Sequence, residues 1–590
     1  MNDTPMIDSQ TPAGAVLAHP DARKHIAEVA PDVLESPILT ALSLDQFPFG
    51  GLLRFMLGED DPRVDEIVTG VSRFDDRSPQ PPQDAPVIPS DDYESEDVER
   101  GSARVETPGP RHAHRRVEIV LSGPAHGNPY TDVELSVVFA LGERRVVVGG
   151  FYDGDGVYRA RFLPPVPGTW QFATRSNARS LDAVVGSLDV SPSDAPGPVR
   201  VDGRGFTRAD GSVFVPMGTT AYAWTHQDDA LQEETLRTLS SAPFNKLRMC
   251  LFPKSYGYNS NEPERFVFPR SGDGESFDTT RFDPEYFRRL ERRLDQLADL
   301  GIEADLILFH PYDRWGFAAM GPSADDRYTT YVVRRLSSFP NVWWSLANEY
   351  DLLTAKRRAD WDRIAEIVRA DDAVGHPLSI HNWVEVFDYS AAWATHASIQ
   401  GGGREMAQSV GRWRRRWPEK PIVIDEFGYE GDLDQGWGNL RAEEVVRRFW
   451  DGVIGGAYLT HGETFHREDE QIFWAKGGTL AGESPARLAF LSRIIADSPT
   501  GRLDPLPGDW DAASGGVAGR YVVTYLGDAR PRFRTVRVPA GLHARIEIID
   551  TWAMTIEELP GLHEGDVRLE LPARPYMAVR IREAAAQASA

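Results

Sequence analysis

Cysteine is nearly absent. Cys250 is the one thiol in 590 residues, which excludes an intrachain disulfide. It lies in the apolar run Leu247-Arg-Met-Cys250-Leu-Phe, where a buried structural thiol is expected rather than a nucleophile. Long apolar runs are also missing. No stretch approaches the roughly 18 consecutive apolar residues that a membrane-spanning helix needs. The opening Met1-Asn-Asp-Thr-Pro-Met-Ile-Asp carries neither the basic nor the apolar segment of a secretion signal. A soluble, cytoplasmic protein with no membrane partner is therefore expected. Positive charge is in deficit, with 64 Lys and Arg against 89 Asp and Glu, a net −25. Phosphate backbones would be repelled overall, so no nucleic-acid partner is expected. The basic run Arg412-Trp-Arg-Arg-Arg-Trp417 reads instead as a solvated helix face with snorkelling arginines.

What is present is enough for several cores: 41% hydrophobic residues, 10% aromatics and 15 Trp. Residues 1–72 carry apolar positions at helical spacing and read as a helical module. It could pack on a neighbouring domain or across a subunit interface, so a homo-oligomer is one expectation. Residues 73–112 are rich in Pro, Asp, Glu and Ser and read as a linker. From 113 to 200 the period becomes two, with turn signals such as Asp153-Gly-Asp-Gly156, which predicts an Ig-like β-sandwich. From 201 to 502 strands and helices alternate. Eight strand candidates, at 213–218, 244–250, 302–309, 341–347, 377–381, 394–400, 420–425 and 456–460, predict an α/β fold, a (β/α)8 barrel. That fold typically takes about 250 residues. A doubly wound sheet is the structural alternative, but no Gly-rich phosphate loop follows the first strand. Alternation by two resumes over 503–590 and predicts a second small β-sandwich.

Barrel chemistry sits at the C-terminal ends of the strands. Those positions form a polar set. Strand 1 leads to Tyr222 and Trp224, and strand 2 contains Arg248. Strand 3 ends at His310, with Trp315 beyond. Strand 4, Asn341-Val-Trp-Trp-Ser-Leu-Ala, runs into Asn348 and Glu349. Strand 5 ends at His381, and His396 falls on strand 6. Strand 7, Pro421-Ile-Val-Ile-Asp, ends at Glu426, and strand 8 leads to His461 and Glu463. Two carboxylates after buried strands suggest paired acid chemistry, of which glycoside hydrolysis is the commonest case. A retaining mechanism needs one carboxyl protonated and one ionised, about 5–5.5 Å apart. Arg248 beside Glu426 would keep that group ionised and leave Glu349 as the protonated partner. The four histidines come from different strands without short ligand spacing, so no metal and no cofactor is expected.

An Asn-Glu pair ending strand 4 and a Glu ending strand 7 resemble the clan A glycoside hydrolases, retaining enzymes that include cellulase-like, β-mannanase-like and apiosidase-like families. The resemblance spans roughly residues 115–585 and leaves 1–112 outside. It implies Glu349 as acid/base, Glu426 as nucleophile and Asn348 as the ligand of the hydroxyl next to the anomeric carbon. It also implies that Arg248 orients the nucleophile, and that His310 and His396 hold substrate or support the nucleophile. Many members place a Trp directly after strand 8. This chain has His461-Gly-Glu463-Thr-Phe, with Trp474 further on.

The resulting expectation is a carbohydrate-cleaving enzyme, retaining and exo-acting on small oligosaccharides or glycosides. Alternatives are a transglycosylase or lyase-like enzyme using the same carboxylates, an inactive carbohydrate-binding barrel, and a metal-dependent hydrolase.

Overall fold

The computed structural model describes residues 5–36, 39, 44, 47–58, 61–78, 82, 87–91, 93–538 and 542–584. Those parts of the expected 1–72 module, 73–112 linker and 503–590 sandwich that fall elsewhere lie outside the described residues. The chain divides into two compact units. One holds 1–200, 249–299 and 303–395. The other holds 201–248, 300–302 and 396–590.

In the first unit, helices Ala13–Ala18, Pro20–Val29, Pro31–Glu35, Phe49–Leu57 and Pro62–Val71 open the chain. Three of the five begin with Pro at the first helical position, where its missing N–H costs nothing. Their apolar faces meet in a separate small core that includes Val16, Ile26, Phe49, Leu53 and Ile67. An antiparallel sheet follows, built from β1 (Val105–Glu106), β2 (Val117–Ser122), β3 (Leu135–Leu141), β4 (Arg144–Tyr152), β5 (Val157–Phe162), β6 (Gly168–Ser176) and β7 (Val185–Val190). Its order is β1-β2-β5-β4-β3-β6-β7. Alternate residues of β2 and β3 are buried, the period-two signature of a one-face core. The pairing starts at Val105, inside the stretch that composition marks as linker. Within it, Glu94 accepts from the backbone N–H and hydroxyl of Ser180.

A three-stranded sheet of β8 (Val199–Asp202), β9 (Gly205–Arg208) and β10 (Val213–Phe214) precedes the barrel. The barrel strands are β11 (Met217–Thr220), β12 (Lys246–Cys250), β13 (Glu303–Phe309), β14 (Val342–Ala347), β15 (Leu378–Ser379), β16 (Ala397–Gln400), β17 (Ile422–Glu426) and, after β18 (Glu430–Gly431), β19 (Ala457–His461). Their order, β15-β14-β13-β12-β11-β19-β17-β16, is the cyclic succession 5-4-3-2-1-8-7-6. The pairings β11 with β12 and β19, β13 with β14, β14 with β15, β16 with β17 and β17 with β19 are all parallel. This is a (β/α)8 barrel. Every residue of β12, β13, β14 and β17 is buried, as expected of parallel strands covered on both faces.

The second unit ends in antiparallel strands. After β20 (Glu463–Thr464) come β21 (Asp504–Asp509), β22 (Ala512–Val517), β23 (Tyr521–Tyr525), β24 (Phe533–Val538), β25 (Ala544–Asp550), β26 (Thr555–Glu558), β27 (Gly565–Glu570) and β28 (Met577–Glu583). Six of these form the sheet β21-β22-β23-β28-β25-β26, and β24 pairs with β27.

Candidate active site

In the first unit the site is built around the end of β14. Glu349 lies two residues past Ala347, the last of β14, and takes the left-handed conformation, φ 51° and ψ 56°. A non-glycine residue pays strain to sit there, and such outliers gather at functional positions. The turn is held on both sides: the Asn348 N–H donates to the Phe309 carbonyl at 2.9 Å, and the Tyr350 N–H to the His381 carbonyl at 2.9 Å. The Glu349 side chain is 5% exposed and accepts a hydrogen bond from the Tyr312 hydroxyl. The Lys254 ammonium lies over the Tyr312 ring, 4.2 Å from its centroid. His381 brings Nδ1 within 3.4 Å of the Glu349 backbone N–H. His310 is buried, with Nε2 3.1 Å from the Phe252 carbonyl, which fixes that nitrogen as the protonated one. Trp315 lies further out, with its indole N–H 3.2 Å from Glu262.

In the second unit the site is built around the end of β17. Glu426 is its last residue, 8% exposed, and accepts from the Tyr222 hydroxyl. Burial and the Glu426 charge hold the Tyr222 phenol well above its ordinary pKa, so it stays a neutral donor. Tyr429 is raised by the same two causes. The Tyr222 and Tyr429 rings pack on Trp474, at 5.8 and 5.7 Å, and Trp437 lies 5.0 Å from Trp474. An indole thus does reach the strand 8 side, but from the short helix Phe473–Lys476 rather than from the residue after the strand.

Behind Glu426, Asp425 is fully buried. It accepts from Lys246 at 2.8 Å, Thr460 at 2.7 Å and Ser398 at 2.6 Å, and lies 3.2 Å from Arg248. Arg248 thus pairs with the residue that precedes Glu426, and that residue, Asp425, was overlooked in the sequence. A readable signal existed, because a charge inside the apolar run Pro421-Ile-Val-Ile-Asp must find a buried partner. Tyr429, three residues past Glu426, was overlooked as well.

Four expectations change. His396 precedes the first residue of β16, at the end of the strand away from the catalytic rim, and packs on Phe206 with centroids 5.8 Å apart. The expected strand 394–400 includes His396, whereas the observed strand begins one residue after it, at Ala397, and leaves it outside. Trp224 is completely buried in a 3-10 turn and offers no face to a ligand. His461 is stacked on Phe244 at 4.8 Å, with Nδ1 3.2 Å from the Thr219 hydroxyl. Burial lowers its pKa to about 3, so it is neutral. The Glu463 carboxylate accepts from the backbone N–H groups of Ala481 and Gly482, and so anchors a loop. Glu430, His461 and Glu463 each offer a donor atom within 4.8 Å of the others, a set that could hold a divalent cation. Both carboxylates, however, are already engaged by backbone N–H groups.

A barrel whose strands 4 and 7 each end in a buried carboxylate with a tyrosine donor has the form of a sugar-cleaving enzyme. Comparison with known proteins agrees. Residues 201–476 match an apiosidase-like catalytic domain. Residues 111–177 and 510–582 match two domains of unknown function, DUF5060 and DUF5605. A provisionally assigned glycoside hydrolase from Bacteroides vulgatus ATCC 8482 is 38% identical. The match covers 81% of this chain and all of that one, with a TM-score of 0.76. A family 5 glycoside hydrolase from the same organism shares the fold at 15% identity and a TM-score of 0.54, covering 66% of this chain and 95% of that one. Comparison with curated proteins returns no match. The chain belongs to the glycoside hydrolases, and its barrel is the part that matches the apiosidase-like domain.

Proposed function

We propose that the enzyme is a retaining, exo-acting glycosidase of small glycosides, with Glu426 as nucleophile and Glu349 as acid/base. Glu426 attacks the anomeric carbon while Glu349 protonates the departing glycosidic oxygen. Water, deprotonated by Glu349, then releases the sugar from Glu426. The observation that carries the reading is the matching support of the two groups, each at the end of a parallel barrel strand with a tyrosine donating to it. Tyr222 would hold the attacking oxygen in line, and Tyr312 would orient the acid. His310, His381, Asn348 and Arg248 are proposed to line or brace the sugar subsite.

Proton NMR of the first minutes of hydrolysis tests the mechanism. The first product should keep the anomeric configuration of the substrate, and inversion sinks the assignment of Glu426. Glu426→Gln should lose turnover by about 10⁴-fold or more. Glu349→Ala should slow disaccharides far more than glycosyl fluorides, whose leaving group needs no proton. Exo action predicts that an oligosaccharide releases one monosaccharide from the outset.

A further inference from the structure

The first unit contains a cavity of about 580 Å³ walled in part by the loops that follow strands 3, 4 and 5. Tyr312, whose hydroxyl donates to Glu349, forms part of its wall, so the cavity begins one side chain away from the proposed acid. Trp383 and Phe47 form an aromatic wall, and Ser255, Asp313 and Thr354 supply polar edges. Phe47 lies outside all three segments that match family models, which begin at residue 111. It comes instead from the small helical module at the start of the chain.

That module is fastened to the loops bearing the site. The Phe47 and Trp383 centroids are 5.4 Å apart, and the half-exposed Phe55 stacks on Trp383 at 6.0 Å. Arg54 pairs with Glu385 at 3.4 Å, and Arg357 with Asp8 at 3.3 Å. The indole itself is held from behind. The buried Asp351, two residues past Glu349, accepts from the backbone N–H groups of Trp383, Val384 and Glu385.

We propose that this cavity is the leaving-group subsite and that it takes a second sugar ring. The inference rests on Glu349 being the acid/base. That group must touch the departing oxygen, so whatever the oxygen carries lies on the Glu349 side. A sugar ring has an apolar C–H face and a hydroxyl rim, which matches flat aromatic walls with polar edges. The helical module would then set substrate choice on the leaving-group side.

Full-length Phe47→Leu and Trp383→Ala test this. For the glycosyl fluoride that the wild type cleaves fastest, kcat/KM is measured beside that of a disaccharide and a naphthyl glycoside of the same sugar. Fluoride is too small to fill the cavity, so its rate also reports that the variants are folded. The disaccharide-to-fluoride ratio should fall about tenfold in each variant. A ratio within about twofold of wild type overturns the subsite. A fall confined to the naphthyl glycoside overturns the sugar assignment in favour of an aromatic aglycone. Failure of the parent reading looks different, because Glu349→Ala would then lose glycosyl fluoride as completely as disaccharide.

Discussion

Asp425 is surrounded by charge that water cannot reach. Lys246, Arg248 and Asp425 are each 0% exposed, so removing the carboxylate strips a counter-ion from two buried cations. Asp425→Asn should lower stability by about 3 kcal/mol or more, read as a drop in the urea midpoint. It should also cut turnover, because Asp425 fixes the end of the strand that bears Glu426. By contrast, Arg537→Ala breaks an ion pair with both partners in solvent and should leave the midpoint unmoved. A comparable drop in both variants would mean that burial is not what gives the Asp425 contacts their weight. The two carboxylates themselves were legible in the sequence, because each closes a short, mostly apolar strand run. The left-handed turn at Glu349 and the tyrosine partners were not. They depend on which loops meet at the rim, and no local pattern records that.

Among the elements, the entry to the helix Ser484–Ala496 is held by two acidic side chains. Glu430 accepts from the N–H groups of Glu483 and Ser484 at its first turn, where a negative charge complements the helix dipole. Glu463 accepts from Ala481 and Gly482 just before it. Burial raises the Glu463 pKa from 4.5 to about 7, and the Glu430 charge adds to the shift against the opposing backbone N–H groups. Between pH 4.5 and about 7 the folded chain keeps a proton that the unfolded chain has released, so stability falls as pH rises through that window. His461 works the other way. Its pKa drops from 6.5 to about 3, so its contribution to stability grows with pH between those values. The two partly cancel between 4.5 and 6.5, and only a single variant separates them. Glu463→Gln has no carboxylate to ionise. Its melting temperature relative to wild type should therefore climb as pH goes from 5 to 8. A constant difference across that range would show that Glu463 stays in one protonation state. Its position after strand 8 invited a sugar-binding role. Only the fold shows that the loop at 481–484 returns to claim the carboxylate.

At the scale of the whole molecule, the most telling feature is how the first unit joins its antiparallel sheet to the barrel helices. Glu291, on the helix Pro284–Asp299, receives Arg161 of β5 through two bonds, at 2.7 and 3.0 Å, and also Arg335 of the helix Pro322–Leu336. Arg335 in turn reaches Asp153 at 2.7 Å, which also binds Arg159 and Arg288. Strand and helix periodicity announced both layers, yet neither marks these residues. An arginine on a strand reads as a solvent-facing position until the other layer covers it. Burial would raise the Glu291 pKa, but Arg161 and Arg335 hold it down to about 2. A carboxylate with a depressed pKa stabilises the fold fully above its unfolded value of 4.5, and this contribution is lost as pH falls toward 2. Glu291→Gln should therefore cost about 3 kcal/mol at pH 7, since it leaves two buried guanidinium groups short of charge. Guanidinium chloride unfolding of wild type and variant, followed from pH 7 down to pH 3, tests the cause as well as the size. If the charge carries the effect, the gap between the two narrows steadily below pH 4.5. If it stays level to pH 3, Glu291 acts only through shape, and the sheet and the barrel helices are joined by packing rather than by this ion cluster.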